Sequence, residues 1–199
     1  REVRGGLPDV NYTDIPYTLA SEHLKLYRKL ALERILQLER ESGKVVINAI
    51  EQSAIYNQLQ QLVLNWGHFS EDESKLGAGF TLATQILEEL GDKKLVIVAN
   101  YRMSVRVLLK NLEKYNAVAL NGEISSAEKE EAKTRFINDP TCRVCILNPR
   151  SGGLGVDGFQ AVCSDMLFLE LPVVPKDFTQ TVGRLDRDGQ KEVVNVRVA

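Results

Sequence analysis

With 199 residues, 44% hydrophobic and 26% charged, the chain suits one folded domain of ordinary size plus an appendage, and it is too short for two independent enzymes. A net charge of −2 excludes a generally basic, stand-alone nucleic-acid binder, so any contact with DNA has to be local. Three cysteines argue against a disulfide framework and for a reducing, cytoplasmic setting, and no signal peptide, lipidation motif or apolar run of membrane-spanning length is present.

The chain starts at Arg1-Glu-Val-Arg4 without a methionine, which predicts a piece of a longer protein. Thr13 to Leu19 reads as extended. A long helical pattern follows from Ser21 to about Glu41, with Leu24, Tyr27, Ala31, Ile35 and Leu38 recurring on one face. A second helix is expected over Lys44 to Leu64, although its Val45-Val-Ile start also permits a strand. Gly67 to Gly79 is polar and glycine-bearing, a loop before a third helix that ends near Gly91.

From Leu95 onward the pattern changes to short apolar runs alternating with polar or periodic segments of helix length. The runs are Leu95 to Ala99, Ala117 to Leu120, Arg143 to Leu147, Met166 to Leu169 and Val193 to Val198. Continuous apolar runs of this kind are strands buried on both faces, so the reading is α/β, a parallel sheet with helices on both sides, preceded by a mostly helical segment. Ser125-Ser-Ala-Glu128 is a capping box that opens a helix through Phe136, which Asn138-Asp-Pro140 ends. Cys142-Arg-Val-Cys145 has thiol-pair spacing but lies in an expected buried strand with no second pair, so it reads as structural.

Two segments carry chemistry. In Gln180-Thr-Val-Gly-Arg184-Leu-Asp186-Arg187-Asp-Gly189-Gln190, helical spacing predicts that Gln180, Arg184 and Arg187 share a face before a glycine stops the helix. Two aligned guanidiniums offer planar donor forks that match phosphate oxygens. In Asn148-Pro-Arg150-Ser151-Gly152-Gly153-Leu-Gly155-Val-Asp157-Gly158, glycines directly after a strand let backbone amides approach a phosphate.

Together these segments resemble motifs six and five of the Swi/Snf-type superfamily-two helicases and DNA translocases. Leu95 to Asn100 is similar to motif four, Leu120-Asn121-Gly122 through Phe136 to the segment after it, and Arg1 to Tyr27 to the lead-in between lobes. Asp186 between the arginines is similar to the bacterial, RNA-polymerase-associated branch. Asn148-Pro149 stands where a hydroxyl pair is usual, Asp157 where Asn is common, and the usual Trp ahead of Pro175 is absent.

The resemblance implies a second RecA-like lobe over residues 75–199, with residues 1–74 as lead-in strand and helices linking to a first lobe not in this chain. It implies Arg184 and Arg187 as catalytic arginine fingers and Gly155, Asp157, Gln180 and Gln190 as ATP-binding. Asn121, Gly122, Arg150, Ser151, Gly152 and Gly153 would contact the backbone of double-stranded DNA, weakly by this chain alone. ATP and Mg2+ would be held mainly by the first lobe, because no phosphate loop occurs here: Ser42-Gly43-Lys44-Val45 lacks the earlier glycine and the final hydroxyl. No metal ligand is assigned in this chain. Glu71-Asp72-Glu73-Ser74 reads as a solvated loop rather than a metal motif, and His68 as packing or capping. The full-length parent would be the active ATPase, in a bacterial or viral cytoplasm. The alternative is a non-catalytic RecA-like module docking a protein such as RNA polymerase through the same arginines.

Overall fold

The computed structural model describes residues 6–42, 49–70, 72, 75–150 and 157–199, with side chains omitted over 34–42, 49–52 and at His68. In chain order the elements are β1 (Val10–Asp14), α1 (Ser21–Ser42), α2 (Ala49–Leu64), α3 (Trp66–Phe69), α4 (Ala78–Glu89), β2 (Leu95–Val98), α5 (Arg102–Asn111), β3 (Val118–Leu120), α6 (Ser126–Asn138), β4 (Val144–Leu147), β5 (Asp165–Phe168), α7 (Pro175–Val182) and β6 (Val194–Val198). They form two compact units, Tyr17–Leu82 and the combination of Arg1–Pro16 with Ala83–Ala199, the division falling inside α4.

The Tyr17–Leu82 unit is helical. Its helices α1 and α2 meet around His23, whose buried imidazole donates from Nε2 to the Leu62 carbonyl at 2.9 Å and stacks on Trp66 at 4.9 Å between ring centroids. Burial pushes the His23 pKa down, so this ring packs as a neutral group. Lys75 lies 4.9 Å over the Trp66 ring and 3.1 Å from Glu22. The stretch 43–48, with Gly43 and the start of the expected second helix, and residues 71, 73 and 74 of the acidic segment lie outside the described residues.

The larger unit is built on a six-stranded, wholly parallel sheet in the order β1-β6-β5-β2-β4-β3. Strands β2, β4 and β5 are buried at every residue, which is why they read as continuous apolar runs rather than alternating ones. Phe136 of α6, Phe168 of β5, Phe159 and Leu185 are fully buried in the core, and the Phe136 and Phe159 rings pack at 4.7 Å. The capping box of α6 is present, with Glu128 N–H donating to Ser125 Oγ and Ser125 N–H to the Glu128 carboxylate. At the other end of α6 the Lys94 ammonium donates to the carbonyls of Phe136, Asp139 and Cys142 at 2.5, 2.7 and 3.0 Å. Those acceptors sit where the helix dipole is negative.

Two expectations are corrected. The lead-in strand is Val10–Asp14 rather than Thr13 to Leu19, and it belongs to the sheet unit, not to a segment ending at residue 74. It pairs with β6 from Val10↔Val194 to Asp14↔Val198, and Ile15 N–H makes a further bond to Val198 O at 2.7 Å. Pro16 has no N–H to donate, so the ladder stops there. The three cysteines are free and buried, and burial raises each thiol, Cys163 to about 12, which leaves them unreactive.

Candidate functional site

Of the residues singled out in the sequence, Asn121, Gly122, Arg150, Asp157, Arg187 and Gln190 fall into two clusters on the larger unit. One lies at the C-terminal ends of β3 and β4, adjacent strands paired through Leu120↔Leu147. The chain leaves β3 at Asn121, a buried side chain whose Oδ1 accepts the Glu123 N–H at 2.9 Å and so fixes the turn that exposes Gly122. It leaves β4 at Asn148, whose N–H bonds Leu120 O at 3.0 Å. Asn148 Oδ1 accepts the Arg150 N–H at 3.1 Å, and the Arg150 side chain is exposed. Asn121, Gly122 and Arg150 therefore share one edge of the sheet. Ser151, Gly152, Gly153 and Gly155 lie outside the described residues.

Beneath this edge is a polar network the sequence reading missed. Asn148 Nδ2 donates to Asn100 O at 2.8 Å, and Asn100 Nδ2 donates to Glu170 O and Leu171 O at 3.2 and 2.8 Å. The Glu170 carboxylate, 1% exposed, accepts the N–H groups of Asn100 and Tyr101 at 2.6 and 3.1 Å and bonds the Ser104 hydroxyl. Burial raises its pKa to about 7, against the lowering effect of those bonds. The ends of β2, β4 and β5 are thereby tied together at the start of α5.

The second cluster gathers Asp157, Arg187 and Gln190 with Gln160, which was not singled out. Arg187 Nη1 lies 3.3 Å from Asp157 Oδ1. Gln160 Nε2 reaches Asp157 Oδ1 and Asp188 O, both at 3.3 Å, while its Oε1 accepts the Gly158 N–H at 3.0 Å. Gly158 has a φ of 99°, a backbone conformation strained for any residue with a Cβ, so this turn favours glycine. The Asp157 pKa is lowered, first by Gln160 and then by Arg187. With the two side chains 38% and 68% exposed, the pair is held loosely and the guanidinium can exchange its carboxylate for a phosphate.

Gln190 is buried and fully engaged. Its Nε2 donates to Cys163 O and Leu185 O at 3.0 and 3.2 Å, and its Oε1 accepts the N–H groups of Lys191 and Glu192, both at 2.9 Å. It staples the arginine loop to the start of β5, and placement of that loop is the role its geometry allows. The cavity of about 190 Å³ beside it, bordered by Lys94, Cys163 and Glu192, lies at the N-terminal edge of the strands, away from Asn121 and Asn148.

The expected single helix through Arg187 is corrected. α7 ends at Val182, and Gly183 to Gly189 run on as turns and bends, with i−3 bonds Arg184 N→Thr181 O and Leu185 N→Val182 O at 3.1 and 2.9 Å beside one last i−4 bond, Asp186 N→Val182 O at 3.0 Å. Gly183 disfavours helix, and Asp186 and Asp188 oppose the dipole at its C-terminus. Gln180 is exposed on α7, and Arg184 is half-buried in the first turn beyond it. Arg187 is brought to Asp157 by the loop, not by a shared helical face. Among the described residues no group of three or more His, Cys, Asp or Glu is placed to hold a metal ion.

Comparison with known proteins gives this geometry a setting. The helicase conserved C-terminal domain matches residues 79–189. The DNA repair and recombination protein RAD54B of Mus musculus is 26% identical over 179 residues, covering 85% of this chain and 20% of that protein. The chain spans between 4% and 20% of the lengths of the curated relatives it matches. The C-terminal part of the Fun30 ATPase domain superposes with a TM-score of 0.77 at 15% identity, covering 96% of this chain and 85% of that one. The Sulfolobus solfataricus SWI2/SNF2 ATPase core in complex with double-stranded DNA gives 0.75 at 18% identity, covering 96% and 41%. The fold is the RecA-like fold of these C-terminal lobes.

Proposed function

Because the chain belongs to the helicase conserved C-terminal domain family, we propose that it is the second RecA-like lobe of a Swi/Snf-type, DNA-dependent ATPase. In this reading Arg184 and Arg187 complete an ATP site whose phosphate loop and Mg2+ ligands belong to a first lobe. The observation that carries it is the arginine loop: Gln190 ties it through Leu185 O to Cys163 O ahead of β5, and Arg187 rests on a half-open ion pair with Asp157. A cation on a tethered loop, itself held only loosely, is available to the charge that develops on a transferring phosphoryl group. Asp157 and Gln160 orient the guanidinium, and Gln180 lies exposed on the preceding helix.

Double-stranded DNA would run along the other cluster, where Gly122 and Arg150 are exposed on one sheet edge and contact phosphates by position rather than by sequence. With few cations gathered there, binding by this lobe alone is weak and salt-sensitive. The test is ATP hydrolysis by the full-length protein with and without double-stranded DNA, comparing wild type with Arg187→Ala. Turnover is expected to fall roughly a thousandfold or more while the ATP dissociation constant changes little. Unchanged turnover would reassign the arginines to a protein-docking surface and defeat the ATPase reading.

A further inference from the structure

At the point where β4 ends, the sequence reads Asn148-Pro149, where the resemblance implies a hydroxyl pair. The structure shows what the replacement does. Asn148 is 7% exposed, so its carboxamide faces the protein and not a ligand. Its oxygen accepts the Arg150 N–H two residues on, closing an Asx turn, and its nitrogen donates to Asn100 O at 2.8 Å. Pro149 sits between them with φ already fixed and no N–H to compete, the arrangement an Asn-Pro turn favours. Asn100 in turn is anchored by its N–H to Glu170 at 2.6 Å and by its amide to Glu170 O and Leu171 O. The turn that carries Arg150 is thus bolted through one carboxamide to the ends of two other strands.

We propose that Asn148 is a positioning residue for DNA binding, holding the Arg150 turn so that its exposed guanidinium meets a backbone phosphate. The inference rests on the DNA-contact reading above. A phosphate contact on a freely moving turn loses much of its free energy to the ordering of that turn, and a pre-set turn does not. Closing the turn needs an oxygen acceptor two residues before Arg150 and holding it needs a donor toward Asn100 O; a serine hydroxyl at position 148 is both, so it should satisfy the requirement through the equivalent, weaker turn.

The experiment measures the affinity of the full-length protein for a short labelled DNA duplex across a salt series. The proteins are wild type, Arg150→Ala, Asn148→Ala, Asn148→Ser, and the double variant Asn148→Ala/Arg150→Ala. Arg150→Ala is expected to weaken binding about tenfold and lower the log–log salt slope by about one, the signature of one lost phosphate contact. Asn148→Ala should reproduce most of both changes, Asn148→Ser should restore them to within about twofold, and the double variant should be no weaker than Arg150→Ala, because both act through one contact. If Arg150→Ala leaves affinity and slope unchanged, the DNA-contact reading itself fails. If Arg150→Ala weakens binding but Asn148→Ala does not, or if the two losses add in the double variant, the positioning role is overturned. Should Asn148→Ala fold poorly, Asn148→Ser decides: a folded serine variant that still lacks the slope of wild type also overturns it.

Discussion

Glu170 should make the stability of the sheet unit depend on pH in an unusual direction. Its carboxyl is almost completely buried, and its pKa is raised from 4.5 to about 7, chiefly by burial. Below about pH 4.5 the group is protonated whether the chain is folded or not, and it contributes nothing to pH dependence. Between 4.5 and 7 the folded state holds a proton that the unfolded state has released, so stability falls as pH rises; above 7 the loss is complete and constant. At about 1.4 kcal/mol per pKa unit the fall amounts to about 3 kcal/mol. Glu170→Gln keeps an acceptor for the Asn100 N–H and removes the ionisation. Urea unfolding of both proteins from pH 4 to 8 gives the difference between them, in which groups common to both, such as His23, cancel. Wild type should lose about 3 kcal/mol relative to Glu170→Gln across that window, ending as the less stable protein at pH 8. A difference curve that stays flat would refute the reasoning, because the buried charge would then carry no penalty.

Two further substitutions test what holds the sheet unit together. Lys94→Met keeps the aliphatic stem but leaves the carbonyls of Phe136, Asp139 and Cys142 without their common ammonium donor; a loss of about 3 kcal/mol is expected by calorimetry, and one under about 1 kcal/mol would show that water replaces it. Arg197→Leu leaves Asp165, whose side chain is 2% exposed and bonded to Arg197 Nη1 at 2.6 Å, with the Ser164 hydroxyl but no cation, and should cost about 3 kcal/mol in denaturant unfolding, with Asp165→Asn added in the same chain recovering much of it. Additive losses in that pair would mean the two charges do not depend on each other.

Local features of this fold were legible and distant ones were not. Strands β2, β4 and β5 were found because burial on both faces writes itself into four or five consecutive apolar residues. The α6 cap was found because its partners are three residues apart. The place of β1 in the sheet depends on pairing residue 10 with residue 194, for which a short polar strand carries no signal of its own. Lys94 closing a helix that ends more than forty positions later belongs to the same class.

The same division runs through the candidate site. Arg184 and Arg187 announced themselves by type and spacing, yet the geometry inferred from that spacing was wrong: a period of 3.6 assumes an uninterrupted helix, and α7 stops at Val182 with Gly183 as its cap. What gathers Arg187 and Asp157 is Gln160, a residue with no motif, reaching both Asp157 and Asp188 O across a turn whose positive φ favours Gly158. Asn148 was visible only as a departure from a pattern, and a departure says that something differs without saying what has taken its place. Its partners, Asn100 and through it Glu170, lie 48 and 22 positions away, on strands the fold makes neighbours. Chemistry-bearing residues can be read from a chain because their types are rare, whereas the residues that aim them are ordinary amides whose meaning lies in what the sheet sets beside them.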